Sequence, residues 1–259
     1  KCIQASLAPL REEGRSLGTV AVFHDVTELK RLEAVRREFV ANVSHELRTP
    51  LTAIQGYAET LRDGALKDPE KALEFVGVIH RHAERLRELI DDLLDLSKVE
   101  QGKARLSPVP VPLAEVASQV EAVIRPLARG KSQSLAIEIP ADLPRLRADR
   151  DRLAQVLINL LDNAVKFTPE GGRISLTAAA RQGRIVLDVT DSGVGIPPEE
   201  IGRIFERFYR VDRSRDRREG GTGLGLAIAK HLTLAMGGSI EVESLPGRGT
   251  TFRVSLPSA

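Results

Sequence analysis

The chain has 259 residues, and its 38 basic and 36 acidic side chains nearly cancel to a formal net charge of +2, so bulk charge demands neither nucleic acid nor an anionic membrane surface. Aromatic residues make up 3% and tryptophan is absent, which excludes a base-stacking platform for single strands. The single cysteine, Cys2, rules out an internal disulfide and fits a reducing cytoplasm, and no apolar run is long enough to span a bilayer. Without a signal-peptide pattern or an initial Met, the chain reads as a soluble piece of a longer protein.

The first element is a short β-rich run, Thr19 to Phe23, which turns through Asp25 and Thr27 into a long helix. Apolar residues at Leu29, Leu32, Phe39, Val43, Leu47, Leu51, Ile54, Ala58 and Leu61 predict that helix from near Val26 to about Leu61. Turn signals fill Arg62 to Glu70, and Asp68-Pro69 forms a cap and first-turn pair for a second helix. Its apolar stripe runs from Ala72 through Phe75, Ile79, Leu86 and Ile90 to Leu96, and Gly102 and Pro108 mark its end. Its outer faces carry Arg81, Glu84, Arg85, Arg87, Glu88, Asp91 and Asp92. Two helices of ~45–55 Å cannot bury such stripes alone, so a second copy closing a four-helix bundle is expected. His80 and His82 are two apart and cannot pair on one helix face for a metal, and His24 has no partner motif.

Pro108 to Pro112 reads as an extended linker or first strand, and Leu113 to Leu127 as a helix. Strands follow at Leu135–Ile139 and Leu146–Ala148, and Asp149 caps a periodic helix reaching Phe167. Arg173–Ala179 and Arg184–Thr190 read as strands joined through Gly183. After a Gly-rich charged segment, a helix is expected from about Thr222 to Met236, and strands Ser239–Ser244 and Thr250–Leu256 close the chain around Pro246-Gly247-Arg248-Gly249. The fold class is therefore α+β: a long antiparallel helical hairpin, then an α/β sandwich with helices on one sheet.

Within the first helix, His45, Glu46, Thr49 and Pro50 interrupt the apolar pattern within six residues. An internal proline removes a helix hydrogen bond, at a cost of ~3 kcal/mol, and deprives the Glu46 carbonyl of its usual donor. A local rule broken without compensation marks a functional site. His45-Glu46-Leu47-Arg48-Thr49-Pro50-Leu51 resembles the H-box of bacterial two-component sensor histidine kinases. The resemblance implies that His45 takes the γ-phosphoryl of ATP and passes it to an aspartate of a response regulator receiver domain. Imidazole suits this, having a lone pair available at neutral pH. By the same resemblance Glu46 orients the ring and takes its proton, and Thr49 serves dephosphorylation of the regulator.

Five further segments resemble the family's nucleotide motifs, in order. Asn159-Leu160-Leu161-Asp162-Asn163-Ala164-Val165-Lys166 is similar to the N-box; Asn159, Asn163 and Lys166 share a helix face, an Asn159 or Asn163 amide oxygen can hold Mg²⁺, and Lys166 can meet phosphate. Asp191-Ser192-Gly193-Val194-Gly195 resembles the first Gly box, where Asp191 would accept from the adenine amino group and Gly193 and Gly195 admit the base. Phe205 to Arg210 resembles the F-box, with Phe208 anchoring a lid and Arg210 reaching a phosphate. Gly221-Thr222-Gly223-Leu224-Gly225-Leu226 resembles the second Gly box, offering helix-start N–H groups to the triphosphate, and Gly247 to Thr250 a last Gly box near the adenine. Phe167 stands where many relatives carry Tyr.

The resemblance covers about residues 29 to 257 and implies three parts: 1–28, the end of a PAS-like sensor domain; 29–104, the dimerisation and phosphoacceptor hairpin; 105–259, the ATP-binding domain. The Gly195–Gly221 span, with Arg203, Arg207, Arg210, Arg213, Arg215, Arg217 and Arg218, is expected to be the ATP lid, and a hinge near Lys103 to Pro108 to swing the domain toward His45. ATP and Mg²⁺ are the implied cofactors, and a homodimer and a response regulator the implied partners. No nucleic-acid partner is expected, and a membrane only through a missing N-terminal part, the chain being the cytoplasmic portion of an inner-membrane sensor. Two competing functions are weighed: an ATP hydrolase of the gyrase, Hsp90 or MutL type, and a non-catalytic docking module that senses nucleotide. Those hydrolases place a water-activating Glu in the N-box where this chain has Asn159, which is unsuited to general-base work.

Overall fold

The computed structural model describes residues 1–12, 15–100, 106–211 and 221–259. It opens with a hairpin of β1 (Ile3–Glu12) and β2 (Arg15–Asp25), antiparallel, with a register irregularity between Leu10 and Arg11. Only the Thr19–Phe23 part of β2 was expected. The strand β1 hides in the sequence because Ala5, Ala8 and Pro9 have weak strand preference; its partner supplies the order. The turn into α1 (Thr27–Arg62) is locked by Asp25 Oδ1 accepting from Thr27 N at 2.9 Å and by Cys2 N donating to Thr27 Oγ1 at 2.8 Å.

Helix α1 runs unbroken through Pro50, which is buried. A 3₁₀ turn over Ala65–Lys67 leads to α2 (Pro69–Glu100), with Asp68 Oδ1 accepting from Lys71 N as the helix starts. Tyr57 and Phe75 pack across the hairpin with ring centroids 5.3 Å apart. Much of the apolar stripe is uncovered: Leu29, Leu32, Val35, Val40, Leu51, Leu73, Val76, Ile90 and Leu94 are exposed.

The second half begins with β3 (Val109–Val111), which pairs antiparallel with β5 (Leu146–Ala148) apart from the main sheet. Between them lie α3 (Leu113–Gly130) and β4 (Ser134–Glu138). Then come α4 (Arg150–Phe167), β6 (Arg173–Arg181), β7 (Arg184–Asp191), α5 (Gly225–Ala235), β8 (Ser239–Leu245) and β9 (Gly249–Pro257). The five-stranded sheet has the order β4-β6-β7-β9-β8, with β4 and β6 parallel and the other pairs antiparallel. Alternation along β7 buries Ile185, Leu187, Val189 and Asp191, while the intervening residues are half-buried. The buried set meets Val116, Val120 and Ile124 of α3, Leu157, Leu160 and Leu161 of α4, and Ile228 and Leu232 of α5 in one core. The opposite sheet face is polar, with Arg253 paired to Asp188 and Thr190 hydrogen-bonded to Thr251. The helical face is thus the dry one, and α4 and α5 lie side by side on it.

Candidate functional site

Helix α4 starts where Asp149 Oδ1 accepts from the amides of Asp151 and Arg152; Oδ2 accepts from Ser107 N at 3.0 Å, which ties down the chain leaving the hairpin. Its core side buries Leu153, Leu157, Leu160 and Leu161, so the rotation of the helix presents Arg152, Gln155, Asn159, Asn163 and Lys166 along one half-buried polar stripe. Asn159 Nδ2 donates to the Gly225 carbonyl at 3.1 Å, joining the stripe to the start of α5 and leaving its oxygen as the atom suited to a cation. Lys166 pairs with Asp162 at 2.6 Å. Among the described residues no three His, Cys, Asp or Glu side chains cluster around a point, so a divalent ion here would rely on amide oxygen, phosphate and water, the set Mg²⁺ tolerates.

The far end of α4 is clamped. Lys131 Nζ donates to the Val165 and Lys166 carbonyls, and Gln133 Nε2 to those of Val165 and Thr168. Sequence reasoning did not single out this pair; Ser132 between them has φ +52, a turn geometry that spacing does not announce. Beside the clamp, Asp191 ends β7. It is buried, and its Oδ1 accepts from Gly193 N at 2.7 Å. Burial pushes its carboxyl above the ordinary carboxylate range, opposed by hydrogen bonds from the Gly193 and Thr250 backbone.

The glycines here make close contacts with the protein's own backbone. A Cβ on Gly193 would sit 2.6 Å from the Phe167 carbonyl oxygen, and one on Gly195, where φ is +70, would collide with the Leu245 carbonyl. Thr250 is buried on β9 in register with Asp191, its hydroxyl 3.0 Å from Ser244 Oγ. Asp191, Gly193, Gly195 and Thr250 therefore form one wall.

Across from it lies the second glycine motif. Helix α5 begins at Gly225, three residues later than expected, because Gly223 has φ +72 and turns the chain before the helix can start. Leu224 at the cap supplies no side-chain acceptor, which leaves the first amides of α5 to an anion. Phe208, a non-glycine residue at φ +61, donates its amide to the Gly223 carbonyl at 2.9 Å; its ring lies 5.9 Å from that of Phe39 on α1. Phe205 instead packs edge-on against Phe252 in the sheet. Arg210 donates to the Gly221 carbonyl at 2.6 Å, at the near end of the second glycine motif. Arg213, Arg215, Arg217 and Arg218 of the expected lid, and Lys103 of the expected hinge, lie outside the described residues.

On α1 the His45 ring is exposed. Glu46, expected to orient it, faces Arg85 of α2 at 3.8 Å. The Thr49 hydroxyl donates back to the His45 carbonyl at 3.3 Å, a common bond for threonine in a helix. Arg85 also approaches the Gly221 carbonyl at 3.5 Å, and Thr222 Oγ1 donates to Asp92 Oδ2 at 2.8 Å while accepting from Leu224 N. The outer face of α2 is thus partly an interface. Nothing in the spacing of Arg85 or Asp92 separates them from their solvated neighbours.

Comparison with known proteins agrees with this arrangement. Residues 35–102 match the family model of the His Kinase A (phospho-acceptor) domain, and residues 148–259 that of the histidine kinase-, DNA gyrase B- and HSP90-like ATPases. The chain is 40% identical over 253 residues to sensor histidine kinase WalK of Bacillus subtilis, covering 95% of this chain and 41% of that protein. It thus spans about two fifths of the length of that curated relative. The mycobacterial sensor histidine kinase MprB superposes with a TM-score of 0.51 at 31% identity, over 59% of this chain and 98% of that one. Histidine kinase ThkA, in complex with response regulator protein TrrA, superposes with a TM-score of 0.69 at 27% identity, over 98% of this chain and 75% of that one. No described helix is long and apolar enough to cross a membrane.

Proposed function

This chain belongs to the sensor histidine kinase family, and from that membership we propose that it phosphorylates His45 from ATP and passes the phosphoryl group to an aspartate of a response regulator receiver domain. The observation that carries the reading is the exposed imidazole of His45, on a helix of phosphoacceptor type, in one chain with a nucleotide fold whose α5 amides lack a side-chain cap. The imidazole nitrogen forms the N–P bond as the bond from the γ-phosphorus to the bridging oxygen breaks, ADP leaves, and the ring proton passes to a base or to solvent. Phosphoryl transfer asks the protein chiefly for positioning and charge stabilisation. Asp191 is suited to accept from the adenine amino group, Asn163 and Lys166 to face the phosphates, and the amides from Gly225 onward to hold them. Asn159 would hold Mg²⁺, which when bound neutralises charge on the phosphate oxygens.

The Glu46–Arg85 pair means that Glu46 must change partner before it can take the His45 proton. The exposed stripe on α1 and α2 supports dimerisation through the hairpin, and residues 1–28 fit the end of a sensor domain of a membrane protein whose cytoplasmic part this is. Incubation with γ-labelled ATP separates the competing activities: acid-labile protein phosphate for a kinase, free phosphate for a hydrolase, neither for a docking module. The substitution His45→Gln should abolish labelling while nucleotide still binds; full labelling in that variant would refute the acceptor assignment. Thr49→Ala should slow dephosphorylation of the regulator roughly tenfold or more and spare autophosphorylation, since the family resemblance gives this position, one turn from His45, the role of orienting water.

A further inference from the structure

Two carboxylates of α2 meet the edge of the nucleotide site, one at Thr222 before α5 and one at the first turns of the α4 polar stripe. Asp92 and Asp95 are three residues apart and share a helix face. Asp92 Oδ2 accepts from Thr222 Oγ1 at 2.8 Å, beside the uncapped start of α5. Asp95 Oδ2 accepts from Gln155 Nε2 at 2.9 Å and from Arg152 at 3.2 Å, one and two turns below Asn159 on α4. Lys166 acts on Asp92 through its charge, and Glu88 and Asp95 crowd it with like charge. Burial raises the Asp92 carboxyl above the ordinary range, so it sits in a desolvated place where its partners matter.

We propose that Asp92 competes with the ATP triphosphate for Thr222 and the start of α5, and that Asp95, held by Arg152 and Gln155, completes an internal acidic latch that keeps the nucleotide domain against α2 until ATP displaces it. This rests on the reading of those groups as phosphate-binding. Two anions cannot share that place: the start of a helix stabilises a carboxylate or a phosphate, and like charges at contact repel. ATP entry therefore ejects Asp92, breaks the tie to α2 and frees the domain for the exposed face of α1. The apparent ATP affinity is then set by α2, a helix with no residue in the nucleotide motifs.

The test uses the whole chain and the magnesium complex of a trinitrophenyl-labelled ATP, with binding read by fluorescence. Asp92→Asn and Asp95→Asn should each tighten binding roughly fivefold to tenfold, the worth of a lost competing charged hydrogen bond. Phosphohistidine formation at subsaturating ATP should rise with them. Asp91→Asn, an exposed neighbour, controls for bulk charge and should change nothing. Unchanged or weaker binding in both latch variants, with the fold intact by circular dichroism, overturns the proposal, as does equal tightening by Asp91→Asn. Failure of the kinase reading is distinguishable: the wild-type chain would bind the probe yet yield no His45-dependent phosphate, while the binding comparison would still report on the latch.

Discussion

Helix α4 buries eight of its 18 residues, whereas α1, with 36 residues, buries only Pro50 and Leu61. The nucleotide half closes a core of helices and sheet, which Leu89, Leu96 and Val99 of α2 join, while the rest of the hairpin leaves Leu29, Leu32, Leu51, Leu73 and Leu94 in water. The difference teaches that one half fills a core within the chain and the other is finished by something outside it, which for an amphipathic hairpin is most simply a second copy. A rigid carrier beside an unfinished stalk suits a reaction that must bring a nucleotide to an exposed ring.

The hardest blow to that contrast is Leu157→Ala. Leu157 is fully buried, and its loss should cost the nucleotide domain about 2–5 kcal/mol in denaturant unfolding, with hairpin helicity spared. A cost near zero would mean that this domain is no better packed than the stalk. Next comes Leu51→Glu on the 46% exposed site of α1. It should shift the chain toward monomer by roughly 1–3 kcal/mol of association energy, read by sedimentation, and leave the nucleotide domain's melting unchanged. A monomeric wild type would remove the premise.

The smallest effect sharpens the contrast within the nucleotide half. Asp191 is an acid whose folded pKa is raised by burial, so its favourable contribution is present below the unfolded pKa and is lost as pH rises through the folded one. At neutral pH its ionised form is a burden on the domain. Asp191→Asn should therefore be somewhat more stable than wild type at neutral pH, the gap closing on acidification through the carboxylate range. The variant can still accept from Gly193 N, but it then turns an NH₂ toward the adenine amino group, so ATP binding should weaken roughly tenfold. Equal pH profiles of the denaturant midpoints would show that burial at this position has no cost.

Local chemistry made much of this legible in advance. Asp149, Asp68-Pro69 and the 3.6-residue periodicity located α4, α2 and α1, because caps and apolar spacing act within a few residues. The glycine motifs were legible as turns, but their reason was not. Gly193 and Gly195 are small because the carbonyls of Phe167 and Leu245 press on them, and those neighbours are distant in sequence. The late start of α5 came from Gly223, whose positive φ is set by contact with Phe208. Strand β1 went unseen because pairing with β2, not composition, holds it.

Alone, the order of residues determined the elements other than β1 and the start of α5, the two-part organisation, His45 as the odd residue in a helix, and the polar stripe of α4. These follow from steric and hydrogen-bonding preferences that reach no farther than one or two turns. Only the tertiary structure decided that Glu46 faces Arg85, that Thr222 holds Asp92, and that Asp95 meets Arg152 and Gln155. Charged residues on an outer helix face look alike in sequence, and which of them loses water depends on the domain that happens to lie against it.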